Sequence, residues 1–473
     1  MVIKHVITII LTIGIIPQNI LCQELPKLKI SDNNRFLIKE DNTPFLWIGD
    51  TFWDWDQLSP SELDEYLNKR TNQGYTVIQT QLAVYGGANY AGDWCFGGAF
   101  HKDIIQPQEV YWQYVDLWLD KIESHGLYAA VGLSWIITFW SRYDKAGDPA
   151  ERFSESDYYN YGKWIGNRYK HRNNIIWLGL NESTYQTAPV EKIKAVSRGI
   201  CDGDTGDKLI SLHPLAGSRI YEEYEDIVDF NSWQTARFFA PSNLPYRYSI
   251  RGIPDSISGA DVRGEYTVWE AIAADYSKTP IKPVIDLEGW YEGHLDDMPV
   301  NSTGTKANAW HVRRRAYFTI LAGAFGHTYG ATGLAYNIKG DSWQQALHFP
   351  GGEDIGHLAK LFGSEERPFL QMVPAQEIIV SGQSCNYDSH KQAARANDGS
   401  YAYIYSADGS NFSVDLTDLG ENGDEIKVKW FNPREGTFIY ESHTFERDTN
   451  VVIDPPESPM AGNDWILVLY VER

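Results

Sequence analysis

Cysteine is scarce in this chain of 473 residues, which contains only four. One lies near the N-terminus, and the other three, Cys95, Cys201 and Cys385, are widely separated. That spacing excludes a disulfide framework and a cysteine-based metal site. Positive charge is also in deficit, because 41 Lys and Arg residues oppose 63 Asp and Glu residues, for a formal net charge of -22. Such a balance repels phosphate backbones, so we expect no nucleic-acid partner.

Long apolar runs are absent beyond the N-terminus, so we expect no membrane-spanning helix in the mature protein. Lys4 precedes an apolar stretch at residues 6–16, which is too short to cross a bilayer. Residues 1–23 are therefore predicted to be a cleaved signal peptide, and the protein to be exported to the periplasm, the cell surface or the medium. A lipid anchor at Cys22 is an alternative, but Leu21 stands where a small residue is wanted, which favours simple secretion.

No glycine-rich phosphate loop follows any strand-like run, which argues against a doubly wound nucleotide-binding sheet. Apolar strand-like runs instead alternate with helical patterns between about residues 44 and 340. The eight runs are residues 44–50, 75–83, 127–135, 174–182, 209–214, 226–234, 283–289 and 330–337. Eight strands with intervening helices predict a (β/α)8 barrel.

The clearest helix signal in the predicted barrel lies at residues 59–74. Ser59 is predicted as the N-cap, with Pro60 at the first helical position and Glu62 completing a capping box. Gly74 is predicted to end the helix.

The pattern changes after about residue 370, where polar and apolar residues alternate between turns such as "DGS" and "ENGD". This pattern predicts short antiparallel strands. The fold class is therefore α/β, with a (β/α)8 TIM barrel followed by a small all-β sandwich. We place the barrel at residues 24–367 and the C-terminal β-sandwich at residues 368–473.

Two glutamates, Glu182 and Glu288, end the fourth and seventh predicted strands. Chemistry in such barrels collects at the C-terminal ends of the strands. Two carboxylates that face one cleft can cleave a glycosidic bond, one as general acid and base and the other as nucleophile or water activator. Either glutamate alone could be a loop residue near a helix start, where negative charge suits the helix dipole. Their equivalent positions weaken that interpretation.

Other polar and aromatic residues near the predicted strand ends are candidate substrate contacts. Asn181 is placed to bind a sugar 2-hydroxyl, and tryptophans offer flat faces for stacking. The candidate substrate-binding set is Asp50, Trp53, Gln79, Asn181, His213, Asn231, Gln234 and Trp290. Asp50 could instead be a loop cap, and a structural role is favoured for His213 over catalysis. The oxygen-rich segment 202–207 lacks the glutamate that ends a calcium loop, so no metal is predicted.

Several segments resemble the apiosidase-like glycoside hydrolases. They are "PFLWIGDTFWDWDQLSPSELDEYLNKRTNQGYTVIQ", "NNIIWLGLNES", "PVIDLEGWYEG" and "RRRAYFTILAGAFGHTYGATG". "KWFNPREGTF" and "NDWILVLYV" resemble the β-sandwich that usually follows that barrel. That module carries a collagen-binding label which no residue pattern here supports. The resemblance implies Glu288 as nucleophile and Glu182 as acid and base. Family members typically show Gly-Gly-Asp where this chain has Leu180-Asn181-Glu182, which keeps a carboxylate and leaves the sugar open.

We therefore expect a secreted, metal-independent retaining glycoside hydrolase that needs no cofactor. Its carbohydrate substrate would come from plant or algal cell walls, with apiose as one option among several sugars. Glycine-rich or aromatic loops at residues 83–100 and 237–264 suit a closed pocket, which favours exo action. The main alternative is a non-catalytic glycan-binding protein that uses the same aromatic cleft. An interaction module led by the β-sandwich and a polysaccharide lyase are further alternatives. The presence of both glutamates favours the hydrolase.

Overall fold

A computed structural model describes residues 24–83, 107, 109–134, 153–181, 189–215, 217–220, 222–235, 267–294, 306–335 and 342–472. The predicted signal peptide and Cys22 lie outside these ranges. Within them, no helix combines the length and the apolar character that crossing a membrane requires.

A small antiparallel sheet precedes the α/β region. Its strands are β1 (Leu28–Ile30), β2 (Leu37–Lys39) and β3 (Pro44–Phe45). The sequence predicts Pro44 and Phe45 as the start of the first barrel strand, which is wrong, because they pair with β2. Pro44 lacks an N–H group, and the edge position of β3 accommodates this.

The second sheet contains seven parallel strands and one antiparallel strand. They are β4 (Trp47–Thr51), β5 (Val77–Gln81), β6 (Tyr128–Gly132), β7 (Ile175–Trp177), β8 (Ser218–Arg219), β9 (Asn231–Gln234), β10 (Val284–Asp286) and β11 (Gly326–Tyr329). Their order across the sheet is β7-β6-β5-β4-β11-β10-β9-β8, with β8 antiparallel to β9. Every residue of the parallel strands is buried, as strands covered on both faces require.

The fifth predicted strand, residues 209–214, is an extended segment with a single parallel bridge between Ile210 and Trp177. Its backbone makes hydrogen bonds to neighbouring segments on both sides. The Ser211 N–H donates to the Trp177 carbonyl at 2.8 Å, and the Asp229 N–H donates to the Ile210 carbonyl at 2.8 Å. The segment therefore lies between β7 and the approach to β9.

The eighth predicted strand, residues 330–337, is wrong. The strand that pairs with β4 is β11, which ends at Tyr329, and the described residues after it form a bridge and turns. A Cβ built on Gly326 would lie 2.3 Å from the Trp47 carbonyl oxygen, so close strand packing requires glycine there. A strand that begins with glycine and histidine lacks the apolar run on which the prediction depends.

The helices of the described ranges begin with α1 (Pro60–Asn72). The others are α2 (Glu109–Ser124), α3 (Glu155–Tyr169), α4 (Val190–Asp204), α5 (Val268–Tyr276), α6 (Ala309–Leu321), α7 (Ser342–Leu347), α8 (Pro350–Gly356) and α9 (Leu358–Phe362). The predicted start of α1 is confirmed. The Ser59 hydroxyl accepts from the Glu62 N–H, and the Glu62 carboxylate accepts from the Ser59 N–H.

Two antiparallel sheets follow α9 and confirm the all-β C-terminal region. Their strands are β12 (Met372–Pro374), β13 (Ile379–Ser381), β14 (Lys391–Ala396), β15 (Tyr401–Ser406), β16 (Phe412–Val414), β17 (Ile426–Asn432), β18 (Thr437–Phe445), β19 (Val451–Ile453) and β20 (Trp465–Val471). One sheet has the order β12-β14-β15-β20-β17-β18, and the other has the order β13-β16-β19. Trp430 and Leu467 of the larger sheet share a core with Phe412 and Val414 of the smaller one.

The opposite face of the six-stranded sheet packs against the helices of the α/β region. Arg313 of α6 binds Asp464 through Nε at 2.8 Å and Nη2 at 2.5 Å, and it binds Asp354 through Nη1 at 2.5 Å. The Tyr405 hydroxyl donates to Asp464 at 2.9 Å. Removal of one partner of such a buried charge group typically costs about 3–5 kcal/mol, so this contact fixes the two regions together.

Candidate active site

The C-terminal ends of parallel strands meet at one edge of their sheet, where active sites of α/β folds collect. The structure brings five of the predicted site residues to this edge, on the strands or directly beyond them. They are Trp53, Asn181, His213, Gln234 and Glu288.

Glu288 lies two residues beyond β10 and is 9% exposed. Its Oε2 is 3.4 Å from Nε2 of His213, which is completely buried. Neither atom makes a hydrogen bond within the described part of the chain. His213 Nδ1 lies 3.2 Å from the Pro214 carbonyl oxygen, and this contact orients the ring toward the carboxylate. The Glu288 carboxylate is therefore held beside a polar ring with hydrogen-bonding capacity left for a ligand.

An aromatic wall stands beside this pair. The Trp53 indole N–H donates to the Tyr291 hydroxyl at 2.9 Å, and the Trp53 ring meets His213 edge to face at 5.3 Å. A Cβ on Gly330 would lie 2.3 Å from the Tyr291 ring, so the wall depends on a glycine at the end of β11. Tyr291 follows Glu288 by three residues, and the sequence predicts it, together with Trp290, as a wall of the sugar subsite.

Asn181 extends the pairing of β6 and β7, since its N–H donates to the Ser134 carbonyl at 2.8 Å. Its side chain is fully buried and lies directly on Gly132, where an added Cβ would be 1.8 Å from Oδ1. Neither Oδ1 nor Nδ2 has a hydrogen-bond partner among the residues that the structure covers. An unpaired buried amide is costly, and a ligand hydroxyl would relieve that cost. Glu182, the next residue, lies outside the described ranges.

A buried polar group supports the backbone that carries Glu288. The Asp286 carboxylate accepts hydrogen bonds from the Thr235 N–H at 3.1 Å and the Thr235 hydroxyl at 2.5 Å. Arg315 Nη1 donates to the same hydroxyl at 2.9 Å. Burial raises the pKa of Asp286, while Thr235, Arg315 and the backbone N–H of Glu288 oppose the rise. Burial, with a contribution from Arg315, lowers the pKa of neighbouring His327 to about 3, so this imidazole is neutral.

Gln79 also supports the backbone next to Glu288. Its side chain is completely buried, and Nε2 donates to the Leu287 carbonyl at 2.9 Å. This bond reaches from β5 to the residue before Glu288. The contact gives Gln79 a positioning role. Its Oε1 has no hydrogen-bond partner among the described residues, and the contact with substrate stays a prediction.

Asp50 does not face the site, which corrects its assignment as a sugar ligand. It is completely buried, and its Oδ2 accepts from Arg70 Nε at 2.6 Å and from the Tyr66 hydroxyl at 2.8 Å. Both partners belong to α1, so the carboxylate points into the layer between the sheet and this helix. Burial raises the pKa of Asp50, and Arg70 opposes the rise.

The three remaining predicted substrate contacts, Asn231, Gln234 and Trp290, have different positions. Asn231 begins β9 rather than ending it, and its register partner is Val284 at the start of β10. It therefore lies at the other end of the strand from the Glu288 edge, and its assignment to the site is corrected. Gln234 ends β9 and has a buried Oε1 without a hydrogen-bond partner in the described ranges. Trp290 is half-buried, and its ring meets His311 edge to face at 5.1 Å.

The sequence contains signals for Asp286 and Arg315, two residues that support the site and are absent from the predicted set. Asp286 stands two residues before Glu288, so in an extended strand the two side chains share one face. The run "RRR" at residues 313–315 predicts a helix face with one arginine turned toward an internal carboxylate. The structure buries all three arginines, with Arg315 at the Asp286 group. Among the described residues, no group of three or more His, Cys, Asp or Glu residues could hold a metal ion.

Two family models match the chain. A family described as "Apiosidase-like, catalytic domain" matches residues 31–371, and one described as "Putative collagen-binding domain of a collagenase" matches residues 373–470. No curated protein sequence matches the chain.

Solved structures give the same fold. One named "Glycoside hydrolase" is 24% identical, with a TM-score of 0.77 over 94% of this chain and 97% of that one. A glycoside hydrolase family 5 protein from Bacteroides vulgatus ATCC 8482 is also 24% identical, with a TM-score of 0.76 over 94% of each chain. At these identities the likeness concerns the fold alone. The catalytic-domain match covers most of the sequence, and the chain therefore belongs to the apiosidase-like family and is a glycoside hydrolase.

Proposed function

We propose that the protein is a retaining glycoside hydrolase in which Glu288 is the nucleophile and Glu182 is the general acid and base. The observation that carries this proposal is the Glu288 carboxylate at the end of β10, 3.4 Å from His213 and beside the Trp53–Tyr291 wall. A nucleophile must reach the anomeric carbon of a sugar that rests on such a wall. Glu182 directly follows Asn181, whose amide has hydrogen-bonding capacity to spare.

The reaction follows from these positions in two displacements. In the first, a Glu288 oxygen attacks the anomeric carbon, the glycosidic C–O bond breaks, and protonated Glu182 gives its proton to the leaving oxygen. In the second, Glu182 takes a proton from water, and the water oxygen displaces Glu288 from the anomeric carbon. Asn181 would hold the sugar 2-hydroxyl during both steps. Two inversions leave the product with the anomeric configuration of the substrate.

The same proposal includes a closed (β/α)8 barrel. The hydrogen bonds of residues 209–213 to Trp177 on one side and to the approach of β9 on the other support closure. Closure would bring the strand that precedes Glu182 and the strand that precedes Glu288 to opposite sides of one cleft. In a retaining enzyme, the two carboxyl groups should then be about 5–5.5 Å apart, and about 6.5–9.5 Å would indicate inversion.

The substrate is inferred to be a plant or algal cell-wall polysaccharide or oligosaccharide, cleaved from a chain end. Family membership supports a glycosidic substrate, and apiose is one candidate for the released sugar. Apart from Ala83, the loops at residues 83–100 and 237–264, on which exo action depends, lie outside the described ranges. The apolar stretch at residues 6–16 supports export by a signal peptide.

The roles of the two glutamates can be tested by chemical rescue, after a screen of plant and algal oligosaccharides has identified a substrate. Glu288→Ala with azide should yield a glycosyl azide of inverted configuration, because azide attacks the substrate directly. Glu182→Ala with azide should yield the retained configuration, because azide attacks the intermediate on Glu288. The opposite pair of configurations would exchange the two roles. Wild-type activity in either variant without azide would contradict the mechanism.

A further inference from the structure

Lys429, in the middle of β17, faces away from the core of the C-terminal region. Side chains alternate along a strand, and Val428 and Trp430 on either side of Lys429 belong to the core between the two sheets. Phe431, which shares the face of Lys429, packs with the core of the α/β region instead. Lys429 is thus on the face of the six-stranded sheet that is directed toward the rest of the protein.

Three aromatic rings surround the Lys429 ammonium. Its Nζ lies 4.7 Å from the ring centroid of Tyr470, 4.8 Å from that of Phe438 and 5.7 Å from that of Tyr440. We call these four residues the Lys429 cage. Lys429 is only 4% exposed, and no hydrogen bond or ion pair to it occurs within the described ranges. A leucine or methionine would fill this space without the desolvation cost of an ammonium that lacks an anion.

The nearest charges add to this local excess of positive charge. Burial and the proximity of Arg367 lower the pKa of Lys429 to about 8, and Glu366 opposes the change only weakly. Arg367 is itself 5% exposed, and its Nη1 donates to Glu366 at 3.2 Å. The Glu366 side chain is 82% exposed. Of these two buried cations, only Arg367 is paired with the exposed Glu366 carboxylate, in a chain whose net charge is -22.

The cage opens to the surface on the side of β18, the edge strand of the sheet. Tyr440 lies directly opposite Lys429 in the β17–β18 pair, so its side chain is on the same face of the sheet, and it is 70% exposed. A tyrosine with a wet hydroxyl and an accessible ring face suits contact with a sugar. The exposed Tyr440 ring and the buried Lys429 ammonium are therefore adjacent, with the ring 5.7 Å from the cation at the outer side of the cage.

We propose that the Lys429 cage is a second carbohydrate-binding site, which recognises an acidic sugar unit of a polysaccharide. The sugar ring would stack on Tyr440, and its carboxylate would pair with Lys429 and with the nearby Arg367. The site lies on the C-terminal sheet and is separate from the cleft at Glu288. It would hold the enzyme on a uronate-containing polymer while the cleft acts on the chains that it meets.

The test measures binding of the full-length mature protein to two polymers that differ only in charge. Affinity electrophoresis at physiological ionic strength would compare polygalacturonate with its fully methyl-esterified form. The wild-type protein should be retarded at least about tenfold more strongly by the acidic polymer, since a charge-assisted pair is lost on esterification. Equal retardation by both polymers would overturn the proposal.

Variants locate the binding. Lys429→Met keeps the volume and removes the charge, and it should weaken binding to polygalacturonate by about tenfold. Lys427→Gln is the matched control, because it removes a lysine from the same strand that is paired with Glu472 at the surface, and it should change binding by less than about twofold. Wild-type affinity in Lys429→Met would contradict the proposal. Tyr440→Ser supplies an independent variant at a 70% exposed position if Lys429→Met folds poorly.

Two further measurements test whether binding at the cage is specific for sugars and whether the cage is separate from the catalytic region. Galacturonate oligomers should compete with the polymer, whereas acetate or inorganic phosphate at the same ionic strength should not; equal competition by these small anions would make the cage a general anion site and overturn its assignment to sugars. The turnover of a short neutral substrate should be unchanged in Lys429→Met. Loss of that turnover would show that the cage belongs to the catalytic region, contrary to the proposal.

Discussion

The ends of β4 and β10 each carry a carboxylate near the same edge of the sheet, yet the two groups have different surroundings. Asp50 is enclosed by Arg70 and Tyr66 of α1, with no exposed surface. Glu288 extends beyond its strand to a buried histidine, and its Oε2 has no hydrogen-bond partner among the described residues. A position near a strand end is therefore insufficient to identify a reacting group. One oxygen of each carboxylate lacks a hydrogen-bond partner among the described residues, so the difference lies in the cation: Arg70 pairs with Asp50 at 2.6 Å, whereas no lysine or arginine in the described ranges pairs with Glu288.

The comparison also shows how the sequence could separate the two groups. Tyr66 and Arg70 are four residues apart on α1, so they lie on one helix face, and both are buried. A buried arginine requires an anion nearby, and Asp50 meets that requirement. After Glu288 the chain continues into Trp290 and Tyr291 rather than into a cation.

Glu288→Gln should produce the largest contrast between loss of turnover and loss of stability. We expect turnover to fall by at least about 10⁴-fold, because this change removes the nucleophile while binding remains. The melting temperature should stay within about 2 °C of the wild type, since Oε2 of Glu288 has no hydrogen-bond partner among the described residues and the amide has the same shape. Steady-state kinetics and calorimetry on one preparation measure both quantities. A Glu288→Gln variant that is destabilised but keeps substantial turnover would show that Glu288 has a structural role, and it would contradict the assignment of Glu288 as the nucleophile.

Arg70→Met should show the converse behaviour at the end of β4. Removing the cation leaves Asp50 buried and unpaired, so the free energy of unfolding should fall by about 3–5 kcal/mol. Turnover per folded molecule should change little. Lys69→Met is the matched control: its partner Glu353 lies 3.4 Å away at the surface, and the expected loss is below about 1 kcal/mol. Denaturant unfolding checks both variants, and equal losses would contradict the account.

Gly132→Ala should displace the Asn181 amide, because the new Cβ would meet its Oδ1. We expect kcat/KM to fall by about 100-fold through misplacement of this group. A double-mutant cycle with Asn181→Ala provides the control. If the effect acts through Asn181, Gly132→Ala should add almost nothing in the Asn181→Ala background, and full additivity would refute this explanation.

The smallest predicted effect concerns pH and the buried charges behind β4. Four carboxylates surround two guanidinium groups there: Asp50, Glu292, Asp354 and Asp464 with Arg70 and Arg313. Burial raises the pKa of Asp354 to about 7, and Asp464 and Glu292 reinforce the rise against Arg313. Because the folded pKa exceeds the unfolded value, the bound proton stabilises the fold at low pH, and this contribution is lost as pH rises through 7.

The wild type should therefore lose about 1.4 kcal/mol of stability relative to Asp354→Asn between pH 6 and pH 8. Unfolding curves at the two pH values measure the difference. Turnover should follow no such dependence on Asp354, because the residue lies among the structural charges and away from Glu288. Parallel pH profiles of stability in the two proteins would contradict the assignment.

The sequence predicted what local chemistry determines. Ser59, Pro60 and Glu62 define a helix start by their own hydrogen bonds, and Glu288 follows an apolar run that is long enough to be a strand. The prediction of a strand at residues 330–337 is wrong because the position of β11 depends on its pairing with β4. Gly326 of β11 leaves the room that Trp47 of β4 needs. The same holds for Asp50, whose partner lies 20 residues away. Long-range pairing, rather than local pattern, decides these positions.

Glu288, and not Asp50, is proposed to form the covalent bond to the sugar. The direct measurement uses a 2-deoxy-2-fluoroglycosyl donor of the sugar identified by the substrate screen, which slows release of the glycosyl enzyme. Proteolysis and mass spectrometry then locate the label. We expect stoichiometric labelling of the peptide that contains Glu288, which should be absent in Glu288→Gln and unchanged in Arg70→Met. Labelling of any other carboxylate, or inactivation without a covalent adduct, would contradict this proposal.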